Sequence, residues 1–507
     1  MRLKPVPDSG YRRTEYEKIS RRRCGHRGIG RSWSGASWYT GKLIEQRMDG
    51  EVARLNESLT QRLPQAGLKI SYQDYQRGVF SSRVHYIIQA DPAAKQDALL
   101  KPGQQLALNE TISHGPFPLA RFSLVPSMAV VHSELANTPL VAPLFTANKG
   151  TSPLDAYTRI AYSGDNSTEI TLQPLSLQTG ENKIDFGGAQ IKADIARDLS
   201  RMDLTADARS LSIDAPNGGQ RETLSLTGAT FTTHSKMGKF GLNIGEQQIA
   251  AKRLSLSFDG KESAALDDLA MDASLKEGER TLDARVDYRL GGLQIDGKAF
   301  GSGAMTLNLN GFDGHGVKKF ADEYDAFIRR QMNSGNSSNS VAYQQQLAGM
   351  LDAALPSLLS GNPQIDLKPV TWKNSAGSSQ FDLSLSLSAP AKTEAAAALP
   401  PLLQAVRTLD VSLNLSMPMA TQIAANAAEL EGYQTDEAQK LAAQQVQGVS
   451  AMGQMFKLTT QQDNAIVSQL HYANGQVTLN GKQMTLAQFA GLFGVLGGMD
   501  SAPVGAQ

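Results

Sequence analysis

Seven histidines and one cysteine are the side chains most apt to ligate a transition metal or to serve as a catalytic base or thiol nucleophile. The histidines are His26, His85, His114, His132, His234, His315 and His471. No two of them lie four residues apart on a stretch with helical spacing, and none neighbours Cys24. A single thiol builds neither an intrachain disulfide nor a zinc site of several thiolates. The sequence has no G-x-S-x-G nucleophile elbow, no H-E-x-x-H pair, no Walker A loop and no Rossmann fingerprint. Asp267 and Asp268 are adjacent carboxylates. Neighbours in a strand project to opposite faces, which removes this pair from shared acid–base work. No catalytic residue, no metal ligand and no cofactor is expected. The chain reads as non-enzymatic, with a hydrolase as the remaining enzymatic alternative.

Binding is the better expectation, and two groups of residues are candidates. One is a contact surface made by Tyr75, Arg77, Gly78 and Phe80 with His114, Gly115 and Pro116, a glycine-bearing turn beside an irregular loop. The plainer reading of the same residues is two turns whose glycines allow unusual backbone angles. The other is a stripe of Ile44, Met48, Val52, Leu55 and Leu59, spaced by three and four as on one face of a helix. That stripe could serve self-association into a homo-oligomer or contact lipid, although packing on the body is its ordinary use.

Charge narrows the partners. Lys and Arg balance Asp and Glu at 49 each. Residues 1–32 take ten of the bases and three of the acids, so the remainder is net −7. A mildly acidic body argues against nucleic acid as a partner. No run of 18 apolar residues exists to cross a bilayer as a helix, and residues 1–32 lack the apolar core of a signal peptide. Their Arg/Gly-rich composition has a specific cause if the reading frame is displaced. Back-translated one base later, Tyr16-Glu-Lys can open Met-Lys-Lys-Ser followed by a Val/Ala-rich run that returns near Ser32–Trp33. The expectation is therefore an aberrant leader over 1–32 in place of a short inner-membrane anchor.

Period decides the elements. Gly41 to Leu63 has helical spacing and ends at Pro64. Leu68 to Ile88 alternates around Gly78, the pattern of a hairpin. From about Ser167 to Asn310 apolar and polar residues alternate almost throughout, as in Met202/Leu204/Ala206, Leu211/Ile213, Leu254/Leu256/Phe258 and Leu282/Ala284/Val286/Tyr288. About ten strands there imply an antiparallel meander with one apolar face. Helical spacing returns over 316–360 and 417–455, and Ala473-Asn-Gly marks a final hairpin. The expected fold class is α+β and β-dominated, an extended antiparallel meander or curved sheet with an N-terminal amphipathic helix and helical insertions. Its expected segments are 1–32, a juxtamembrane helix at 33–64, an α+β part at 65–165, the meander at 166–315, a helical insertion at 316–364, strands and helix at 365–490, and a loose tail at 491–507.

Several stretches resemble the YdgA family of Gram-negative inner-membrane-associated proteins of unknown function. They include Trp38-Tyr-Thr-Gly-Lys, Tyr75-Gln-Arg-Gly-Val-Phe-Ser-Ser, His114-Gly-Pro-Phe-Pro-Leu-Ala, Tyr162-Ser-Gly-Asp, Glu429-Leu-Glu-Gly-Tyr-Gln, Ser450-Ala-Met-Gly-Gln-Met-Phe and Tyr472-Ala-Asn-Gly-Gln-Val-Thr-Leu-Asn-Gly. The likeness runs from about 33 to 490. It implies a protein facing the periplasm from the inner membrane, held by a native N-terminal anchor that the written chain lacks. Family members begin with a Met-Lys-Lys leader and an apolar anchor, and this chain departs from them there. A weaker, pattern-level likeness to AsmA-type envelope proteins implies a sheet groove for lipid or another apolar ligand. The alternative is a structural or self-associating envelope protein without ligand.

Overall fold

The computed structural model describes residues 26–62, 66–91, 100–118, 120, 125–334, 341–389 and 404–497. The first 25 residues of the expected leader lie outside the described residues, as do Leu63, Pro64 and 498–507 of the expected tail, whereas 491–497 of that tail is helical. Helix α1 (His26–Arg62) begins upstream of the point where helical spacing starts in the sequence. It is followed by β1 (Leu68–Arg77), β2 (Ser81–Ala90), β3 (Gln105–His114) and β4 (Ala129–Leu135). The short α2 (Ala142–Ala147) precedes β5 (Leu154–Ile160), β6 (Asn166–Leu172), β7 (Leu175–Thr179), β8 (Asn182–Phe186) and β9 (Ala189–Ile195). Six long strands come next: β10 (Arg201–Asn217), β11 (Gln220–Met237), β12 (Asn243–Phe258), β13 (Lys261–Glu277), β14 (Thr281–Ile295) and β15 (Lys298–Asp313). Helices α3 (Gly314–Ser334) and α4 (Val341–Leu358) interrupt them before β16 (Gln364–Asn374), β17 (Gly377–Leu387) and β18 (Val406–Ser416). Helices α5 (Met417–Leu430) and α6 (Thr435–Met455) lead to β19 (Thr460–Gln462), β20 (Ala465–Ala473), β21 (Gln476–Leu479), β22 (Lys482–Thr485) and α7 (Leu486–Gly497).

Among the described residues every strand pairing is antiparallel, and the strands belong to one sheet. The expected meander spans β6 to β15, of which β10 and β14 each carry two of the alternations read in the sequence and β7 and β13 carry none. Its one departure from simple order is local. β6 pairs with β9, while the β7–β8 hairpin lies beside it. β9 and β8 then share the next strand end to end, against Met202–Ala208 and Leu211–Asp214 of β10. The helical stretch expected over 417–455 is two helices, because Gly432 adopts a φ of 100° that L side chains avoid. Ser416 caps the first of them by accepting from the Met419 N–H at 3.3 Å.

The core is divided. Met48 of α1 packs on Val84, Ile112 and Ala129 of β2 to β4. Val317 of α3 covers Phe240, Ile244 and Leu282. Leu355 of α4 covers Leu387 and Ala405. Val446 of α6 and Met417 cover Ile466. Between these patches one side of the sheet keeps its large apolar side chains half in contact with solvent.

Candidate functional site: a sealed polar node and an open apolar trough

Helix α1 runs antiparallel to β1. Near its C-terminal end Asn56 bonds both backbone groups of Ile70, at 2.8 and 2.7 Å. Towards its N-terminal end Glu45 pairs with Arg77 at 2.8 Å, and the Trp33 ring lies 5.4 Å from that of Phe80. Ile44 and Met48 of the stripe face the sheet, Val52 and Leu59 are half-buried, and Leu55 is 47% exposed. Packing on the body thus occupies the first part of the stripe.

The helix closes over His114, the last residue of β3, which is 2% exposed. A chain of hydrogen bonds holds the ring. The Tyr75 hydroxyl donates to Ser82 Oγ at 3.0 Å. Ser82 Oγ lies 2.8 Å from His114 Nε2, and His114 Nδ1 lies 3.3 Å from the Val79 carbonyl. All three bonds are satisfied when the imidazole is neutral, with its proton on Nδ1 and Nε2 accepting from Ser82. Gly41 permits the approach, because a Cβ there would stand 2.4 Å from His114 Cε1. Gly115 permits another, since its Cβ would stand 2.2 Å from the Ser127 carbonyl oxygen. Its N–H donates to Met128 O at 2.7 Å, and its bond to Pro116 is cis. Arg77 stacks over Trp38 at 5.3 Å, and Gly78 donates to Ser81 O at 2.8 Å.

The structure therefore gathers Tyr75, Arg77, Gly78, Phe80, His114, Gly115 and Pro116 around one junction of helix, turn and loop. Sequence reasoning missed Ser82, Gly41 and the buried Ser37. The signals were present: Ser82 is a small polar residue at the inward parity of Val84 and Tyr86, and Gly41 stands on the stripe itself. Ser82 and His114 have the composition of a nucleophile and its base. With Ser82 only 1% exposed, the pair acts in this arrangement as an internal strut.

Burial holds the His114 pKa below its ordinary value of 6.5, with Arg77 adding to the shift and the Val79 and Ser37 carbonyls opposing it. The neutral ring is the form the fold accepts, so unfolded chain binds the proton more readily. This contribution is complete above about pH 6.5 and is lost as pH falls from there towards the folded pKa. Urea midpoints at pH 7.5 and pH 5 should fall more for the wild type than for His114→Asn, which removes the titration. Equal falls in both would refute the assignment.

Four other histidines make separate pairs across strands, while His315 of α3 meets the Phe240 ring edge-on at 5.1 Å. His132 Nε2 lies 2.6 Å from Asp155, His234 Nδ1 2.9 Å from Asp203, His471 Nδ1 2.6 Å from Asp410, and His85 Nδ1 2.7 Å from Asn109. No group of three metal-ligating side chains occurs among the described residues. Asp267 and Asp268 also part, the first taking Arg253 and the second adopting a φ of 48°.

That φ belongs to a larger feature. The ladder is interrupted at one aligned row across six strands: Arg209, Gly228, Lys252, Asp268, Gly291 and Ser302. Gly228 and Asp268 in this row have φ near 60° and 48°. Apolar residues change parity there in every strand, from Leu224 and Leu226 to Phe231 in β11 and from Ile249 to Leu254 and Leu256 in β12. One irregular residue per strand keeps the apolar side chains on one face and bends the sheet.

Along this crease lies a cleft of about 470 Å³. Ile249, Leu269, Met271, Tyr288, Met305 and Val370 line it, together with Trp372. Trp372 lies over Gly303, where a Cβ would meet its ring at 2.7 Å, and its indole N–H donates to Phe300 O at 2.9 Å. Ile249 and Tyr288 remain 42% and 41% exposed. The charged Arg289 at the rim is neutralised by Asp272 at 2.5 Å.

These features define a class of protein: one continuous creased antiparallel sheet, plugged in places by inserted helices, with an N-terminal helix locked over a polar node. Residues 28–487 match the family described as bacterial protein of unknown function (DUF945), and the chain belongs to that family. It is 38% identical over 477 residues to Protein YdgA of Escherichia coli K12, covering 92% of this chain and 94% of that protein. It is 26% identical over 469 residues to the uncharacterized protein YihF of the same organism, covering 90% and 95%. The resemblance to the YdgA family read from the motifs therefore holds along the whole described body. No solved structure matches.

Proposed function

We propose that this is a non-enzymatic, envelope-associated protein, attached to the periplasmic face of the inner membrane, that holds one acyl chain in the trough of its creased sheet. The open trough carries the reading. Its volume of about 470 Å³ falls within the range of small-ligand sites. From β12 to β16 it crosses four strand spacings, about 19 Å. One leaflet of a bilayer core is about 15 Å deep, so a single chain fits along it. Apolar side chains left this exposed are otherwise a liability for a protein in water. The kinship with YdgA supports the envelope placement.

Mass spectrometry of lipid extracted from full-length protein, purified from bacterial membranes, tests the reading. Wild type should retain acyl lipid. Ile249→Asp with Met271→Asp should retain about tenfold less, since each removes roughly a kcal/mol or more of apolar contact. Both side chains line an open face, so the fold should survive, and a thermal melt checks this. Equal lipid in both proteins, or none in either, would refute the trough as its place.

A further inference from the structure

The two ends of the sheet differ in chemistry. From β1 to β11, the connections at one end carry exposed apolar residues at their tips, whereas the β13–β14 turn of the same end is the charged Gly278-Glu279-Arg280. Phe80 stands in the β1–β2 turn, Phe117 in the β3–β4 loop, Tyr162 in the β5–β6 turn, Leu199 in the β9–β10 turn, and Met237 where β11 ends. At the other end the tips are polar: Gly180-Glu181, Asn217-Gly218-Gly219, Asp259-Gly260 and Asp296-Gly297. Tyr162 and Leu199 are 59% and 54% exposed. Leu199 even adopts a φ of 60°, where Gly or Asn would be easier. A branched apolar residue in that backbone state, facing water, asks for an explanation outside the fold.

The apolar tips are neighbours. Phe80 and Phe117 line one cavity of about 290 Å³ together with Trp33. The Tyr162 hydroxyl lies against Gly115. Asp165, in the turn of Tyr162, accepts from the Arg197 N–H of the Leu199 turn at 3.0 Å, and Met237 N–H donates to Ser200 O at 2.7 Å. Trp38 is exposed beside them, with Lys42 and Arg77 against its ring at 5.7 and 5.3 Å. Exposed Trp, Tyr and Phe mixed with Lys and Arg is the composition of a membrane–water interface.

The path of α1 selects the partner. Its N-terminal end lies at this same edge, and the helix continues about 10 Å beyond Trp33 to His26. Lys42 and Arg77 on and beside it supply the cationic groups of an interfacial edge.

We infer that this edge rests in the headgroup region of a bilayer, with Phe80, Phe117, Tyr162 and Leu199 inserted and the polar turns pointing away. The inference rests on the envelope half of the proposed function and is independent of the trough. It fixes an orientation: the strands stand off the membrane instead of lying along it.

Tryptophan quenching by brominated lipid tests it on the full chain. The three tryptophans are Trp33 and Trp38 at this edge and Trp372 in the trough. With vesicles of phosphatidylethanolamine and phosphatidylglycerol, Trp372→Phe protein should be quenched by lipids brominated near the headgroup. Combining Phe80→Ser, Phe117→Ser, Tyr162→Ser and Leu199→Ser should lower vesicle partitioning by at least about tenfold. Glu181→Ser with Lys261→Ser, at the opposite edge, should leave it unchanged. If the fourfold variant melts early, Tyr162→Ser and Leu199→Ser singly carry the test. Absence of quenching in Trp372→Phe protein, or unchanged partitioning of the edge variants, would overturn the inference. Protein lacking Trp33 and Trp38 reports Trp372 alone with brominated fatty acid, so a failure of the trough is read separately.

Discussion

Gly41→Ala should destabilise the protein by about 1–3 kcal/mol, whereas Gly35→Ala, six residues earlier in the same helix, should stabilise it by up to about 1 kcal/mol. Helix propensity alone favours alanine at both positions. The difference comes from what the new methyl group meets. At position 35 nothing lies within 4 Å. At position 41 the methyl enters the His114 ring, with Cε1 at 2.4 Å and Nδ1 at 2.6 Å. The ring cannot retreat without leaving Ser82 and Val79, so either α1 lifts or the hydrogen-bond chain breaks. Urea unfolding of both variants measures the signs. A stabilised Gly41→Ala protein would mean that α1 does not sit where the node requires it.

Deleting Gly228 should cost about 3 kcal/mol or more, far beyond deletion of Gly103 in an exposed turn. Gly228 is the irregular residue of β11, flanked by Thr227 paired with Arg253 and Thr230 paired with Ala250. Without it, one half of β11 is out of step with both neighbours by one residue. Leu224 and Leu226 then turn to the polar face, or the pairs with Leu256 and Leu254 are lost. Chemical denaturation with circular dichroism gives the comparison. Similar stability for the two deletions would show that the crease is incidental to the fold.

The crease was written in the sequence as a change of parity. Met202, Leu204 and Ala206 are even-numbered, and Leu211 and Ile213 are odd. Alternation announces a strand, but a parity change within one strand looks like two short strands when its neighbours are unknown. Only the pairing shows that six strands change at one row. The meander itself was legible because a sheet with one wet face enforces period two residue by residue. Strands β4 and β5 were not anticipated. Ala129-Val-Val in β4 is a run of apolar residues of which Ala129 and Val130 are both buried, with Met48 of α1 packed on Ala129. The residues of the candidate contact surface were visible as unusual turns. The strut that joins them was not, since Ser82 and His114 lie 32 residues apart and nothing local marks their meeting.

The four small cores have a thermal consequence. A single ladder of backbone bonds links them, yet each helix-covered patch is anchored by its own handful of side chains. Melting can therefore begin in one stretch while distant strands keep their partners, so amide exchange is graded along the chain instead of all-or-none. Heat would open this molecule more like a zip with several sliders than like a globule that collapses at once.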